Sequence, residues 1–564
     1  MNGLATRIVF SILIITTFNS FAESSGSKTY CPSIGAAPRT PHASADQYAT
    51  SGKFSISKDG IALFDYGESY GGLGKWANPY FNSNYANALY RDWINTGCTD
   101  RDLKKRFLTV ADWYVDSAEI RQGMAVWPYP FHNDHFDLDP GWISGIGQAR
   151  IAGVLYRAYA VSKKAEYKLI ADEAMETYQR EIKDGGVVTY EDGVTWIEEA
   201  PDHNGRSYKI LNGHITGLTG VIDIYEITRN PEWKALIDKA VAAVKRDISK
   251  FDDGFISLYS MDMPTDKRRM AERGGYNSLH VEQMLWLYEH FNDPIFLKWA
   301  MHFQSYEKNT DRYSASYSVN AKTNGPERAK ALMGGSAWTA NEFPATFTIE
   351  PEHPEIYKGI AFDSLDLERR PYDFTVKAKL KGKNVSVVKI KNNEKLWDDI
   401  LFKSPVKADK IEIEIEKGYR IVALASIMPI KKEFGLSTVV NQCNYRPVPI
   451  SGSREVTYTF YDALDNNDST SMPVHCDGWM IIPSSGMKEI AIKAAGYTGS
   501  KFKISQSDDL KSWRDTTVKS SPTEHTAKLN SKFTKNRIRQ ANKRNKRNYI
   551  SIINRSPQAR GDHI

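Results

Sequence analysis

Cysteine is scarce in this sequence. Four cysteines occur among 564 residues and none belongs to a CxxC pair, so a zinc site built from thiolates is not expected. Four cysteines allow three disulfide pairings. Proximity along the chain favours Cys443 with Cys476, and Cys31 with Cys98 is the weaker expectation.

Long apolar runs are absent beyond the N-terminus. Residues 8–18 are apolar but too few to span a bilayer comfortably; they follow Arg7 and precede Ser20, Phe21 and Ala22. This order is typical of a secretory signal peptide, here residues 1–22, cleaved after Ala22. Because no later stretch is long and apolar enough for a membrane helix, we expect a secreted or periplasmic protein without a membrane span. Export would permit disulfides.

Excess charge is small and unevenly distributed. The net charge is +6, yet one late segment without acids carries eight basic residues, so the rest of the chain has a net charge of −2. The segment is either a solvated loop or a contact surface for a polyanion such as an acidic polysaccharide. Export disfavours nucleic acid as a partner. The eight residues are Lys532, Lys535, Arg537, Arg539, Lys543, Arg544, Lys546 and Arg547.

Aromatic residues are plentiful, with thirty tyrosines and thirteen tryptophans. They either fill cores or line a sugar cleft, because aromatic rings stack on pyranose faces while their polar tips bond hydroxyls.

Helical periodicity dominates residues 75–315, after an extended and β-rich segment at 23–74. Three breaks between helical segments share a polar turn, an aromatic residue and a lysine, in VSKKAEYK, ITRNPEWK and FNDPIFLK. This internal repeat predicts an incomplete α/α toroid of about four helical hairpins. The long loops 121–140, 185–207 and 252–275 would gather at one end of the ring.

Alternating strand patterns follow the helical part. They predict a β-sandwich at 345–435 and a second β-sandwich at 440–556, with a tail at 557–564. SDDLKSW and the late YISIIN segment resemble discoidin-type domains, and the basic segment would lie in the loop before YISIIN. The predicted fold class is multidomain α+β.

Groups capable of acid–base chemistry concentrate in residues 195–280. Adjacent Glu198 and Glu199 precede a helical segment, and Tyr259 and Tyr276 flank a basic loop. Carboxylates and phenols transfer protons. Adjacent side chains of an extended segment point in opposite directions, so one glutamate is expected to enter a cleft while the other faces solvent or pairs. The alternative is that the glutamates are surface charges and the tyrosines cap a core.

Five motifs in order over residues 77–306 resemble the D-glucuronyl C5-epimerase family. They are PGW at 140–142, WIEEAP at 196–201, LNG at 211–213, SLYSMD at 257–262 and ERGGYNSLH at 272–280. The resemblance, to an exported bacterial member, implies conversion of D-glucuronate to L-iduronate in a heparosan-like polysaccharide, without a cofactor. It implies catalytic roles for Glu199, Tyr259 and Tyr276, and substrate binding by His132, Asn133, Asn212, Arg273 and His280.

Two positions depart from the family pattern. Ala200 stands where the family has a tyrosine, and Asp262 stands where it has an arginine. The group that holds the substrate carboxylate is therefore expected elsewhere, among Lys267, Arg268, Arg269 and Arg273.

Several alternatives stay open at the level of sequence. A polysaccharide lyase is the second hypothesis, since it also removes the C5 proton but then expels the C4 substituent. A glycan-binding surface protein is the third. Asp134, Asp137 and Asp139 form either a polar cleft loop or ligands for a divalent cation, and no metal site is predicted. The expected partner is an acidic polysaccharide, and a homodimer is a further option.

Overall fold

The computed structural model describes residues 31–263 except 42 and 255, then 276–306, 313–317, 338–431 except 352, 439–441, 472–474, 479–483, 489–495, 502–520, 524–529, 535–540 and 548–554. Outside these residues lie the predicted signal peptide (1–22), the tail (557–564), Cys443, Cys476, the four basic residues Lys267, Arg268, Arg269 and Arg273, and Lys532, Lys543, Arg544, Lys546 and Arg547.

The N-terminal part forms a small antiparallel sheet. It follows the short helix α1 (Ala45–Thr50) and consists of β1 (Phe54–Ile56), β2 (Ala62–Asp65) and β3 (Lys75–Trp76), with a helical turn, α2 (Ser69–Gly72), between β2 and β3. A disulfide joins Cys31 to Cys98 with 5.4 Å between their Cα atoms, so the weaker of the two pairing expectations is present.

In the part of the chain that the structure describes, eight helices follow as four pairs. They are α3 (Pro79–Asn95) with α4 (Arg101–Ser117), α5 (Gly145–Ser162) with α6 (Ala165–Met175), α7 (Leu211–Thr228) with α8 (Pro231–Asp247), and α9 (Tyr276–Phe291) with α10 (Pro294–Gln304). Two short hairpins interrupt them: β4 (Glu119–Arg121) with β5 (Met124–Val126), and β6 (Val188–Glu191) with β7 (Val194–Ile197).

The repeated sequence break has a local cause. In the last three pairs, a residue with left-handed backbone follows the first helix: Lys163 (φ 63°), Arg229 (φ 56°) and Asn292 (φ 51°). Asn230 and Asp293 then cap the second helix with side chains that accept backbone N–H groups. A left-handed residue therefore ends the first helix in each of the last three pairs, and a side-chain cap begins the second helix in two of them.

The first helices of the pairs pack side by side, in the order α3, α5, α7 and α9. A fully buried ion pair joins α5 to α7, with Arg157 Nη1 2.7 Å from Asp223 Oδ2. Gly153 leaves room for it, since a Cβ there would lie 2.8 Å from Asp223 Oδ2. Within the described ranges, no helix combines the length and apolar character needed to cross a bilayer.

The first β-sandwich consists of two antiparallel sheets, ordered β13-β12-β15-β10-β8 and β14-β11-β16-β9. Strand β15 shows why it forms, because its three isoleucines are buried while its glutamates alternate outward. Since β8 and β9 belong to these sheets, the sandwich begins before the predicted boundary at 345. The strands are β8 (Tyr313–Tyr317), β9 (Trp338–Ala340), β10 (Ala345–Pro351), β11 (Glu355–Ser364), β12 (Asp373–Leu380), β13 (Lys383–Ile390), β14 (Trp397–Ala408), β15 (Lys410–Lys417) and β16 (Val422–Lys431).

A second β unit also has two antiparallel sheets, ordered β17-β19-β25-β21-β22 and β18-β26-β20-β24-β23. Trp479 of β19 packs into the helical core and donates a hydrogen bond to Glu289 of α9. The strands are β17 (Val439–Asn441), β18 (Met472–Val474), β19 (Trp479–Pro483), β20 (Glu489–Ala495), β21 (Phe502–Ser507), β22 (Arg514–Thr516), β23 (Val518–Ser520), β24 (Glu524–Lys528), β25 (Lys535–Gln540) and β26 (Asn548–Asn554). The chain is thus multidomain α+β.

The expectation of one continuous basic loop before the last strand is wrong for its first half. Lys535, Arg537 and Arg539 belong to β25, which pairs with β19 and β21. The alternation in KNRIRQ explains this, because Ile538 is buried while Lys535 and Arg537 retain exposure.

Candidate active site

The two adjacent glutamates occupy different environments. Strand β7 delivers Glu198 into the protein, where its side chain is 1% exposed. Its Oε1 accepts hydrogen bonds from Thr189 Oγ1 (3.0 Å) and Ser207 Oγ (2.5 Å), and its Oε2 accepts one from the Lys209 backbone N–H (3.1 Å). Glu198 is therefore the glutamate whose carboxylate is held by hydrogen bonds, and these bonds fix the segment that leads into α7.

Glu199 points to the other side of the segment and keeps part of its surface exposed. Its Oε2 accepts a weak hydrogen bond from Asn212 Nδ2 at 3.4 Å. Burial raises the pKa of the Glu199 carboxyl to about 7, because a single amide donor does not replace the water lost by a charged group. A carboxylate of this kind has the proton affinity of a general base near neutral pH.

Glycines of α7 allow the segment that carries Ile197 and Glu199 to lie close against this helix. A Cβ on Gly213 would lie 2.3 Å from Glu199 Oε2, and one on Gly217 would lie 2.5 Å from Ile197 Cγ2. One turn further, a Cβ on Gly220 would lie 2.8 Å from Ala149 of α5. Side chains are therefore excluded from a stripe of α7, and the side chains of Glu199, Ile197 and Ala149 fill the space.

Tyr259 lies on a loop that is fixed to the entry of α7. The Leu211 N–H donates to the Tyr259 carbonyl oxygen at 3.0 Å, and Ile210 pairs with Ser260 in an antiparallel bridge. The ring of Tyr259 is buried and lies 4.8 Å from the ring of Tyr276, the first residue of α9. The two predicted tyrosines are thus in contact.

Both phenols share an electrostatic environment with Glu199. Burial raises the pKa of Tyr259 and of Tyr276, and the nearby Glu199 charge raises both further. Both phenols are therefore protonated at neutral pH and available as proton donors. The predicted catalytic residues Glu199, Tyr259 and Tyr276 therefore lie close enough to interact.

An apolar wall surrounds these groups. Tyr259 is one of its members, and Tyr276 and Trp142 pack against it. Ala200, at the position where the family pattern has a tyrosine, is part of the wall. Its buried members are Phe136, Leu138, Ala200, Tyr208, Ile210, Tyr259 and Met263. Such walls exclude water and strengthen the electrostatic interactions among the groups they enclose.

The predicted substrate-binding residues His132 and Asn133 have different surroundings. Asn133 is largely buried, and its Oδ1 accepts from the N–H groups of His135 and Phe136, so it shapes the loop. His132 is half-buried, and its imidazole nitrogens lie 3.5–3.7 Å from carboxylate oxygens of three aspartates. These are Asp134, Asp137 and Asp139, the residues considered above as cation ligands. No grouping of side chains in the described residues is suited to hold a metal ion.

His280 does not line the site, contrary to expectation. The imidazole is 0% exposed, its Nδ1 lies 2.7 Å from Ser257 Oγ, and burial lowers its pKa to about 3. Ser257 Oγ also donates to Asn277 Oδ1 at 2.9 Å. His280 therefore supports the loop that presents Tyr259. The sequence pattern does not distinguish a histidine that lines the site from one that is buried behind the loop that lines it.

Two further residues at the site were not anticipated. Arg206 packs over the ring of Tyr208 at 4.9 Å and lies 3.5 Å from the carboxylate of Asp262. Gln283 donates through Nε2 to the Asn212 carbonyl oxygen at 2.9 Å, which fixes the start of α7. Gln283 lies seven residues after Tyr276, a helical spacing that places both on one face, and this signal was available in the sequence.

The comparisons with known proteins concern this helical part. Residues 121–305 match the sequence model of the family described as D-glucuronyl C5-epimerase C-terminus. The D-glucuronyl C5-epimerase of Caenorhabditis elegans is 25% identical over 211 residues, which is 34% of this chain and 33% of the relative. An uncharacterised protein of Methanocaldococcus jannaschii is 28% identical over 178 residues, which is 31% of this chain and 55% of the relative. The match thus spans about half or less of each curated relative's length.

The comparison with solved structures returns carbohydrate-binding domains. A family 32 carbohydrate-binding module from Clostridium perfringens NanJ, solved in complex with galactose, is 16% identical with a TM-score of 0.19, covering 21% of this chain and 94% of the module. The lectin domain of lectinolysin, solved with Lewis B antigen, is 16% identical with a TM-score of 0.20, covering 22% of this chain and 99% of that domain.

The helical part of the chain, which holds a carboxylate and two phenols in one apolar site, is thus similar in sequence to epimerases, which are isomerases. Residues 121–305 are similar to the C-terminal region of the D-glucuronyl C5-epimerases. The resemblance read from the five sequence motifs is confirmed.

Proposed function

We propose that the protein is a uronyl C5-epimerase that converts D-glucuronate to L-iduronate residues within a heparosan-like polysaccharide. The observation that carries the proposal is the placement of Glu199, with a pKa near 7, beside two protonated phenols. We also propose that the four helix pairs form an open α/α toroid whose loops carry this site.

The reaction needs a base and an acid. The C5–H bond of a uronate is only weakly acidic, and breaking it places charge on the neighbouring carboxylate as an enolate forms. Glu199 would take the C5 proton, and Tyr259 or Tyr276 would return a proton to the opposite face of C5. The enzyme is left with a protonated glutamate and a phenolate, and solvent restores both. The buried phenols would also donate hydrogen bonds to the enolate oxygen.

A cation must stabilise the substrate carboxylate as charge builds up. Arg206 is a candidate, because it lies over Tyr208 at the apolar wall and its described carboxylate partner, Asp262, is itself exposed. A guanidinium matches a carboxylate with two parallel hydrogen bonds. The basic residues Lys267, Arg268, Arg269 and Arg273 are the sequence-based candidates for the same task, and Arg206 adds to them.

We further propose that the protein is exported and binds acidic polysaccharide beyond the reaction centre. The Cys31–Cys98 disulfide supports export, since disulfides persist in oxidising compartments. On the second β unit, the Arg537 guanidinium lies 4.3 Å from the centre of the Trp513 ring, an arrangement suited to an acidic sugar. A homodimer stays a prediction.

Isotope exchange tests the proposed reaction. The enzyme is incubated with heparosan in heavy water, and nuclear magnetic resonance follows deuterium at C5 while chromatography follows chain length. We expect deuterium at C5, iduronate signals and unchanged chain length. Unsaturated chain ends would make the enzyme a lyase, and an absence of both products would refute the proposal. Glu199→Gln serves as the inactive control.

A further inference from the structure

A strip of aromatic rings leads from the N-terminal sheet to the candidate active site. The Tyr70 ring lies 4.3 Å from the Phe131 ring, at an interplanar angle of 34°. Tyr66 lies 5.6 Å from Tyr70 and 5.8 Å from Phe131, and Trp76 lies 5.9 Å from Phe131. Three of these four residues come from β2, β3 and the turn between them, and Phe131 comes from the loop at 121–140. We call these four residues the aromatic strip.

The strip connects directly to the apolar wall of the site. The Phe131 ring lies 5.8 Å from the Trp142 ring, and the Trp142 indole N–H donates to the Phe131 carbonyl oxygen at 2.9 Å. Trp142 in turn packs against the wall that contains Tyr259. Apolar contacts are therefore continuous from the wall that contains Tyr259, through Trp142 and Phe131, to Tyr70.

The outer end of the strip faces solvent. Tyr70 is 40% exposed, and Tyr66 and Trp76 are partly exposed. Tyr70 also has a left-handed backbone (φ 55°, ψ 49°), although it is not a glycine. A bulky residue is strained in this conformation, and such strain clusters at functional sites. Gly71 and Gly72, the next two residues, also have positive φ, so Tyr70 is the non-glycine member of a left-handed run of three residues.

We propose that the aromatic strip is a sugar subsite, on which a pyranose ring of the polysaccharide stacks outside the reaction centre. The inference rests on the proposed function, which it deepens by making a long chain the preferred substrate. Stacking suits sugars because the axial C–H groups of a pyranose face an aromatic ring while its hydroxyls stay in water. Tyr66, Tyr70 and Trp76 precede residue 121, so three of the four residues of the aromatic strip lie outside the matched family region, and Phe131 lies within it.

Binding by chains of two lengths tests the subsite separately from catalysis. In full-length protein carrying Glu199→Gln, calorimetry measures the dissociation constant of a short and a long heparosan oligosaccharide. We expect the long chain to bind more tightly, and Tyr70→Ala to weaken its binding about threefold to tenfold, the scale of one lost stacking contact. The weakening should be smaller for the short chain. Tyr70→Phe keeps the ring and should retain the length dependence.

Two controls separate the ring from its backbone and from general aromatic contacts. Tyr70→Gly relieves the left-handed backbone but removes the ring, so it should lose the length dependence as Tyr70→Ala does. Tyr419→Ala removes a tyrosine that is 67% exposed on the first β-sandwich, and should change neither affinity. Equal length dependence in wild-type and Tyr70→Ala protein would overturn the subsite, as would an absence of binding by both chains. Length-dependent binding that requires Tyr70, without C5 exchange in the wild type, would keep the subsite while refuting the proposed reaction.

Discussion

Glu199→Gln should stabilise the folded protein at alkaline pH while it removes the proposed base. In the folded chain, burial raises the pKa of the Glu199 carboxyl to about 7 from an ordinary value of 4.5. Ionising this group therefore costs more in the folded than in the unfolded state. The cost is absent below pH 4.5, grows as the pH rises towards 7, and is constant above it. Glutamine carries no charge and avoids this cost.

The size of the effect follows from the pKa difference. Each pKa unit corresponds to about 1.4 kcal/mol, so the full difference would amount to about 3 kcal/mol above pH 7. Residual solvent contact and the adjacent first turn of α7 both favour the ionised carboxylate. We therefore expect a gain of about 1–3 kcal/mol at pH 8 and no gain at pH 4.

Urea unfolding followed by helical circular dichroism measures this gain at several pH values. Glu198→Gln is the matched control, because it removes the adjacent carboxylate that accepts three hydrogen bonds. An amide in that position turns one acceptor into a donor facing another donor, which should cost about 1–3 kcal/mol. Burial raises the pKa of Glu198 as well, so we expect Glu198→Gln to be less stable than Glu199→Gln at pH 8 because of its disrupted hydrogen bonds alone.

A loss of stability in Glu199→Gln at pH 8, or a gain that is equal at pH 4 and pH 8, would refute the reasoning. The first result would mean that the carboxylate is well solvated or paired in the folded protein. The second would mean that the gain comes from packing and not from the avoided charge.

Other expectations concern activity and packing. The rate of C5 exchange should rise with pH through about 7 as Glu199 ionises, and Glu199→Gln should lower turnover at least about a hundredfold. Tyr259→Phe and Tyr276→Phe should each abolish most deuterium incorporation at C5 while changing the free energy of unfolding by about 1 kcal/mol or less; full exchange in both would remove the tyrosines from the mechanism. Gly213→Ala should lower exchange at least about tenfold, since its Cβ would displace the Glu199 carboxylate, although alanine favours helix; wild-type exchange rates would contradict this. Asp223→Ala should destabilise the helical part by about 3–5 kcal/mol in thermal unfolding, because it leaves a buried guanidinium without its partner.

Features that depend on neighbouring residues, such as helix turns and the direction of adjacent side chains, could be predicted from the sequence. The turns around Arg229 and Asn292 were recognised as a repeat because each ends one helix and starts the next within a few residues. The separation of Glu198 from Glu199 followed from the alternation of an extended segment. Contact between Tyr259 and Tyr276 could be expected because their motifs lie on successive segments.

Properties that depend on distant packing were not readable. Whether a histidine lies in a cleft or beneath it depends on what covers it, and His280 is covered by the loop that holds Ser257. The choice between two disulfides depends on which chain segments meet, and Cys31 meets the turn between α3 and α4. The pairing of Arg206 with Asp262 joins loops that are separate in sequence.

The glycine stripe of α7 has a consequence for how the protein folds. Each of Gly213, Gly217 and Gly220 weakens an isolated helix by roughly 1 kcal/mol relative to alanine. This helix is therefore poorly stable before its neighbours arrive, and the segment with Ile197 and Glu199 must dock for the helix to persist. Placement of the Glu199 carboxylate and formation of α7 are then one cooperative event. Folding of α7 therefore also fixes the position of Glu199 beside it.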